Sequence, residues 1–346
     1  MVSKGLLLQR ERKKMNLTAF QRQVVRGLQA RLEEDVTVEA NCITKNNGVV
    51  WHGICISREG VNIAPTIYLD ELYQEYCDGR TMKSILGQVL RVYEKSRFHD
   101  SIKMDFFMHY EQVKGKIVYR LVNYQKNEEM LRKMPHMRFL DLAVIFACIV
   151  MNDSISHAAV LVREEHCRMW DVNTDVLLQA AVENTPRYNR VYVKGMEEII
   201  REMLEEQIRN DIEDFCRDKV SNRSREKAEE WADTMRAELD EELRTVHGEV
   251  MMYVMGSKNK QYGAGTILYP NVLAEFAQKK EQNFFILPCS VHEVILVPDS
   301  GKEDAGRLQQ MVKEVNETQL DAEDVLSDSV YYFDRMTGKI TLLCEG

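Results

Sequence analysis

From Leu142 to Met151 ten residues pass without one polar side chain. As a helix this run would rise about 15 Å, roughly half a bilayer's hydrocarbon core, so it is too short to cross a membrane. Being apolar on every face, it must be covered on two sides. The stretch FLDLAVIFACIVM, Phe139 to Met151, is therefore expected to be a central strand. The turn MNDSIS then leads to HAAVLV as its antiparallel partner.

Strand signals recur on both sides of this run. VTVEANCITK alternates, with Val36, Val38, Ala40 and Cys42 on one face. Asn46 to Gly48 then supplies the positive φ of a tight hairpin, and VVWHGICIS returns. NIAPTIYL carries Pro65, which has no N–H to donate and suits a sheet edge. Helices are expected from Asp70 to Gly79, from Thr81 with Ile85, Val89 and Leu90 inward, over Glu164 to Trp170, and from a Thr174 cap to Asn184 before Pro186 stops the turn. Ile117 to Tyr124, MMYVM, FFILP and VHEVILV read as strands, and Asn271 to Lys280 and Glu303 to Glu317 as helices. A hairpin of VYYFD and KITLL closes at Gly338. The recurring unit is a β-hairpin followed by a helix, which implies an α+β fold with mostly antiparallel sheet.

One segment breaks that rhythm. From Met196 apolar residues keep helical spacing to Val220, SNRS interrupts, and Trp231, Met235, Leu239 and Leu243 resume at intervals of four. This predicts a charged helical hairpin. Residues 197 to 247 hold 17 acidic and 9 basic side chains, net -8 of the chain's -9. The expected organisation is a leader over residues 1–15, an α+β region over 16–195, the helical hairpin over 196–247 and a second α+β region over 248–346. The apolar stripe Trp231, Met235 and Leu239 makes the hairpin the place for a protein partner or self-association. The acidic balance disfavours nucleic acid.

Eight cysteines lie scattered, with no Cys-x-x-Cys pair, as in a cytoplasmic protein with reduced thiols and neither a disulfide framework nor a zinc site. No metal or cofactor is implied. GLLL followed by QRERKK lacks the length and charge order of a signal peptide. Several phrases form a recognisable ordered set: NNGVVWHGICI, NIAPTIYLDELY, RLVNYQKNEEML, PHMRFLDLAV, ENTPR, LYPNVL, ILPCSVHEVIL, VNETQ and LSDSVYYFDR. From about Met15 to Thr341 the chain resembles an uncharacterised family, a domain of unknown function found mainly in anaerobic Firmicutes of the gut. The resemblance implies no activity or site residue, and it leads us to expect serine where Cys289 stands.

Candidate chemistry is sparse. Cys289 and His292 sit together in FFILPCSVHEVILV, which gives a hydrolase-type dyad as one reading, with Glu165, His166 or Arg138 supplied by folding. If Val291 to Val297 is a strand, His292 and Glu293 point to opposite faces and cannot share a site. HEVIL lacks the second histidine of a zinc helix. SKNKQYGAGT offers Lys258, Lys260 and a Gly-x-Gly, the ingredients of a phosphate loop without the Walker spacing. PHMRFLD places His136, Arg138 and Asp141 at the mouth of the central strand, either as a tie between elements or as an anion pocket. The leading expectation is a non-enzymatic binding or interaction protein, with the hydrolase as the alternative.

Overall fold

The computed structural model describes residues 15–61, 64–96, 105–152, 157–218, 222–246 and 251–344. The expected leader and most of the MNDSIS turn lie outside the described residues. The chain divides into two compact units, residues 1–109 and 110–346. Its class is α+β, with every strand pair antiparallel.

In the first unit β1 (Val36–Thr44), β2 (Val50–Arg58) and β3 (Thr66–Tyr68) form a three-stranded meander. Asn47 and Gly48 take φ of 59° and 72° at the hairpin, as the Asn-Asn-Gly sequence predicts. The helix Leu17–Gln29 lays Phe20, Val24 and Leu28 on this sheet, against Ile54 and Ile56. Gln21, also buried on that helix, donates its amide to Asn41 O and Gly53 O at 2.9 and 2.7 Å. The helices Asp70–Cys77 and Met82–Ser96 complete the core with Leu72, Ile85 and Val89.

The second unit holds two sheets. In the smaller, β6 (Leu142–Asn152) is central, with β4 (Ile117–Asn123) on one side and both β5 (His136–Phe139) and β7 (His157–Leu161) on the other. The apolar run is thus the central strand, buried from Leu142 to Cys148. Phe139 does not belong to it. The chain turns at Leu140, whose φ is 54°, and Asp141, so that Phe139 pairs with Leu142 across a tight hairpin. A polar residue in an apolar run marks this turn, and the sequence reading passed over it.

The larger sheet has six strands in the order β13 (Lys339–Cys344), β12 (Val330–Asp334), β10 (Phe284–Leu287), β11 (Glu293–Pro298), β9 (Tyr253–Ser257) and β8 (Val191–Gly195). One face packs Phe285, Leu287, Val297 and Val330 against Leu308 and Val312 of the helix Ala305–Thr318. On the other, Phe284 stacks on Phe333 at 4.9 Å and meets Phe276 of the helix Val272–Lys280 edge-on at 5.0 Å. The strand β8 was not foreseen, and the preceding helix also departs from expectation. It runs Thr174–Tyr188, is capped by Asn173 rather than Thr174, and continues past Pro186. A proline near a helix end removes only one donor, and the Thr185 hydroxyl still donates to Ala181 O at 2.6 Å.

Between β8 and β9 rise the helices Met196–Asp218 and Asn222–Val246. Gly195 and Tyr253 are register partners and Met196 N donates to Met252 O at 2.9 Å, so the helical pair enters and leaves the sheet at one point. Ile208, Ala228, Ala232 and Leu243 are buried along its seam, and Arg236 grips Glu205 with two bonds of 2.7 and 2.9 Å. No helix among the described residues is long and apolar enough to cross a membrane.

Candidate functional site

The connection Pro288–His292 between β10 and β11 lies antiparallel to residues 324–327. Val291 N donates to Asp324 O at 2.8 Å, Leu326 N to Cys289 O at 2.7 Å and Ser327 N to Pro288 O at 3.0 Å. Cys289 turns inward among Phe285, Leu287, Val297 and Leu308. Burial pushes its thiol up to about 12, which removes the nucleophilic thiolate near neutral pH.

His292 stands just before β11 rather than within it, so the alternation argument does not apply to it. Its Nδ1 lies 3.3 Å from the Tyr262 N–H, and its Nε2 lies 3.1 Å from Asp324 Oδ1. An Nδ1 that accepts leaves the proton on Nε2, which donates to the carboxylate; no lone pair remains for a general base. Glu293 points elsewhere and accepts from the Tyr192 hydroxyl at 3.2 Å. Cys289 and His292 therefore occupy different surroundings, one an apolar core and the other a polar clasp. His166 is likewise engaged locally: Arg163 N donates to its Nδ1 at 3.1 Å, with Glu165 beside it.

In the loop Lys258 to Gly265 the glycines are taken up by packing. Lys258 and Lys260 are exposed, whereas Gly263 is buried. A Cβ on Gly263 would lie 2.3 Å from His292 O and 2.4 Å from Ser257 N, and one on Gly265 would lie 3.2 Å from the Tyr119 ring. The two glycines are there because backbone approaches backbone and ring. This packing fixes Tyr262 with its ring 5.8 Å from that of His292.

The Tyr262 ring also carries the Arg120 guanidinium, 3.7 Å from its centroid. Arg120 is the one charged residue in β4, IVYRLVN, whose other six side chains are buried. Register places it in a row with Ile145 of β6 and His136 of β5. The next row is Val122, Ala143 and Arg138. Paired residues share a sheet face, so Arg120, His136 and Arg138 lie on one face with about 10 Å between the outer strands, and the side chains between them, Ile145 and Ala143, are buried with Val122, Leu131 and Met134. Arg138 stacks over Tyr124 at 4.8 Å and its Nε donates to Leu140 O at 3.0 Å. His136 Nδ1 is 2.9 Å from Met134 O, and its ring is 6.0 Å from that of Tyr124. Burial lowers the Arg120 pKa, and among the described residues no carboxylate or hydrogen-bond acceptor reaches its guanidinium.

Asp141 shows the opposite condition. It accepts from the hydroxyls of Ser327, Ser329 and Tyr331, tying the β5–β6 turn to the start of β12. Asn123 Nδ2 reinforces the join by donating to Leu326 O at 3.0 Å. Of the sequence-nominated group His136, Arg138 and Asp141, the two basic residues share a face and the acid serves as a tie. The reading missed Arg120 and Tyr262, although a lone arginine in a buried strand was a usable signal.

A family model covers residues 17–335 and is described as a family of unknown function, DUF5688. The chain belongs to DUF5688. No curated protein and no solved structure is significantly similar to it. What this DUF5688 chain does must therefore be argued from its own geometry. At the foot of the helical pair lies a cleft of about 720 Å³ lined by Met196, Met251, Met252, Met311 and Leu243, with four acidic residues, Glu197, Glu198, Glu303 and Asp304, and two basic ones, Lys302 and Arg307. Among the described residues no cluster of His, Cys, Asp or Glu could hold a metal ion.

Proposed function

We propose that the chain is a non-enzymatic interaction protein of the cytoplasm that docks a basic, amphipathic segment of a partner protein at the helical pair 196–246. The methionine-lined cleft at the foot of that pair carries this reading. Methionine adapts its shape to varied apolar side chains, and the net charge of -8 over residues 197 to 247 selects a basic partner while repelling a second copy. Exposed Trp231 and Met203 extend the apolar surface along the helices, and Cys42, Cys55, Cys77, Cys148, Cys167 and Cys289 are free thiols, in keeping with a reducing compartment. The hydrolase alternative loses support from the buried, proton-retaining Cys289 and the doubly bonded His292.

The test uses the whole chain carrying a photo-crosslinking residue at position 231 or 251, both exposed. The expected adduct joins a basic segment of another protein, weakens as salt rises, and is lost when residues 196–252 are replaced by a short turn joining the paired ends Gly195 and Tyr253. A homodimeric adduct, or complexes unchanged by that excision, would overturn the proposal.

A further inference from the structure

We propose that Arg120, on the edge strand β4 of the smaller sheet, is the centre of a binding site for a small oxyanion, a carboxylate or phosphoryl group, received by the free edge of its guanidinium beside Tyr262. This goes beyond the docking proposal and is independent of the helical pair. A guanidinium presents five donors in a planar fork that matches either oxyanion. Among the described residues the donors of Arg120 meet the Tyr262 ring and no acceptor, and that ring orients the plane. A partly buried cation without a counter-charge is costly to hold, and the lowered Arg120 pKa expresses that cost. Nothing in β4 requires it: the strand's packing would be served by an apolar residue like its neighbours Tyr119 and Leu121.

The surroundings support this. Arg138 lies on the same face beyond the buried Ile145 and Ala143, so it adds a longer-range positive potential rather than a direct donor. Tyr262 walls one side of the guanidinium with its ring. Tyr262 is held by its own N–H to His292, which Asp324 steadies in turn, so the orienting ring is built before any ligand arrives. The nearest carboxylates in this network are already engaged: Asp324 with His292 and Asp141 with three hydroxyls.

The experiment is calorimetry and thermal denaturation of the full chain with inorganic phosphate and, separately, succinate, against sodium chloride of equal ionic strength. Saturable binding and a raised Tm are expected with at least one of the two, which identifies phosphoryl or carboxylate as the group. Arg120→Met should weaken that binding by tenfold or more, roughly the loss of one charge-assisted pair. Arg138→Gln, at an exposed position, should fold normally and weaken it severalfold. The proposal falls if neither anion acts beyond the chloride control, if Arg120→Met binds as tightly as the parent, or if Arg120→Met cannot fold, which would make the guanidinium structural.

Discussion

Asp141 and Arg120 are two charges set into the smaller sheet of the second unit, and their treatment differs. The Asp141 carboxylate collects three hydroxyl donors from one strand entrance. The Arg120 guanidinium receives an aromatic ring and, among the described residues, no acceptor. A charge whose lone pairs are filled from within the fold is part of the fold's fastening, because breaking it leaves several buried groups unpaired. A charge whose donors stay free contributes nothing comparable to folding and is available to something from outside. The two residues therefore make opposite predictions for substitution.

The largest effect is expected at Asp141. Asp141→Ala removes the acceptor shared by Ser327, Ser329 and Tyr331, all three buried, and should cost about 4 kcal/mol. Urea denaturation measures it directly; a loss below about 1 kcal/mol would remove the distinction between the two charges. Gly263→Ala comes next. Its Cβ would strike two backbone atoms, His292 O and Ser257 N, which cannot rotate away, and about 2 to 3 kcal/mol of destabilisation is expected. The same substitution displaces Tyr262 from Arg120, so oxyanion binding should suffer in whatever fraction still folds.

Much of this was legible in the chain, and the reason is local chemistry. The hairpin at Asn47 and Gly48, the helical pair and the closing hairpin at Gly338, whose φ is 66°, follow from turn residues and periodicity acting over a few positions. The central strand followed from an apolar run, yet its start was misplaced. Asp141 there is not a flaw in the strand but the turn before it, and its three partners lie some 190 positions away in sequence. The partners of His292 were hidden by the same kind of distance, since the groups that meet the imidazole come from Tyr262 and Asp324. Arg120 alone was visible from its neighbours, as a charge where six other strand residues are buried. Register with β6 and β5, which no local pattern encodes, was needed to place His136 and Arg138 on its face.

A pH titration sharpens the Asp141 side. Burial, and then the adjacent Asp141 carboxylate, raise the Tyr331 phenol well above its ordinary range. The folded chain thus keeps this proton to higher pH than the unfolded chain does. Its contribution is complete below the unfolded pKa of about 10 and is lost as pH rises beyond it. The urea midpoint should decline above about pH 10, and Tyr331→Phe should flatten that decline. Equal slopes in both proteins would show that the phenol does not titrate with folding. Arg120→Met tests the other side with a smaller change of opposite sign: in protein free of oxyanion it should leave stability unchanged or raise it by about 1 kcal/mol, since an uncompensated cation gives way to an apolar chain of similar length. A loss of several kcal/mol would place Arg120 with Asp141 as a fastening.

The smallest expected effect carries the sharpest discrimination. Lys258 and Lys260 are the cations that a phosphate loop would use, and both are exposed beside the glycines that such a loop would need. In the fold those glycines serve backbone contact with His292 and the Tyr119 ring, so the lysines border a packed segment. The double substitution Lys258→Gln and Lys260→Gln should change stability by less than about 0.5 kcal/mol, as surface substitutions generally do. Phosphate or succinate affinity should stay within about twofold of the parent, because exposed lysines contribute only a screened, long-range attraction. If the lysine pair abolished binding while Arg120→Met left it intact, the anion would belong to the loop, and the contrast between a satisfied and an unsatisfied charge would lose its functional meaning. If the affinities move as expected, the free fork of Arg120 is what the anion recognises.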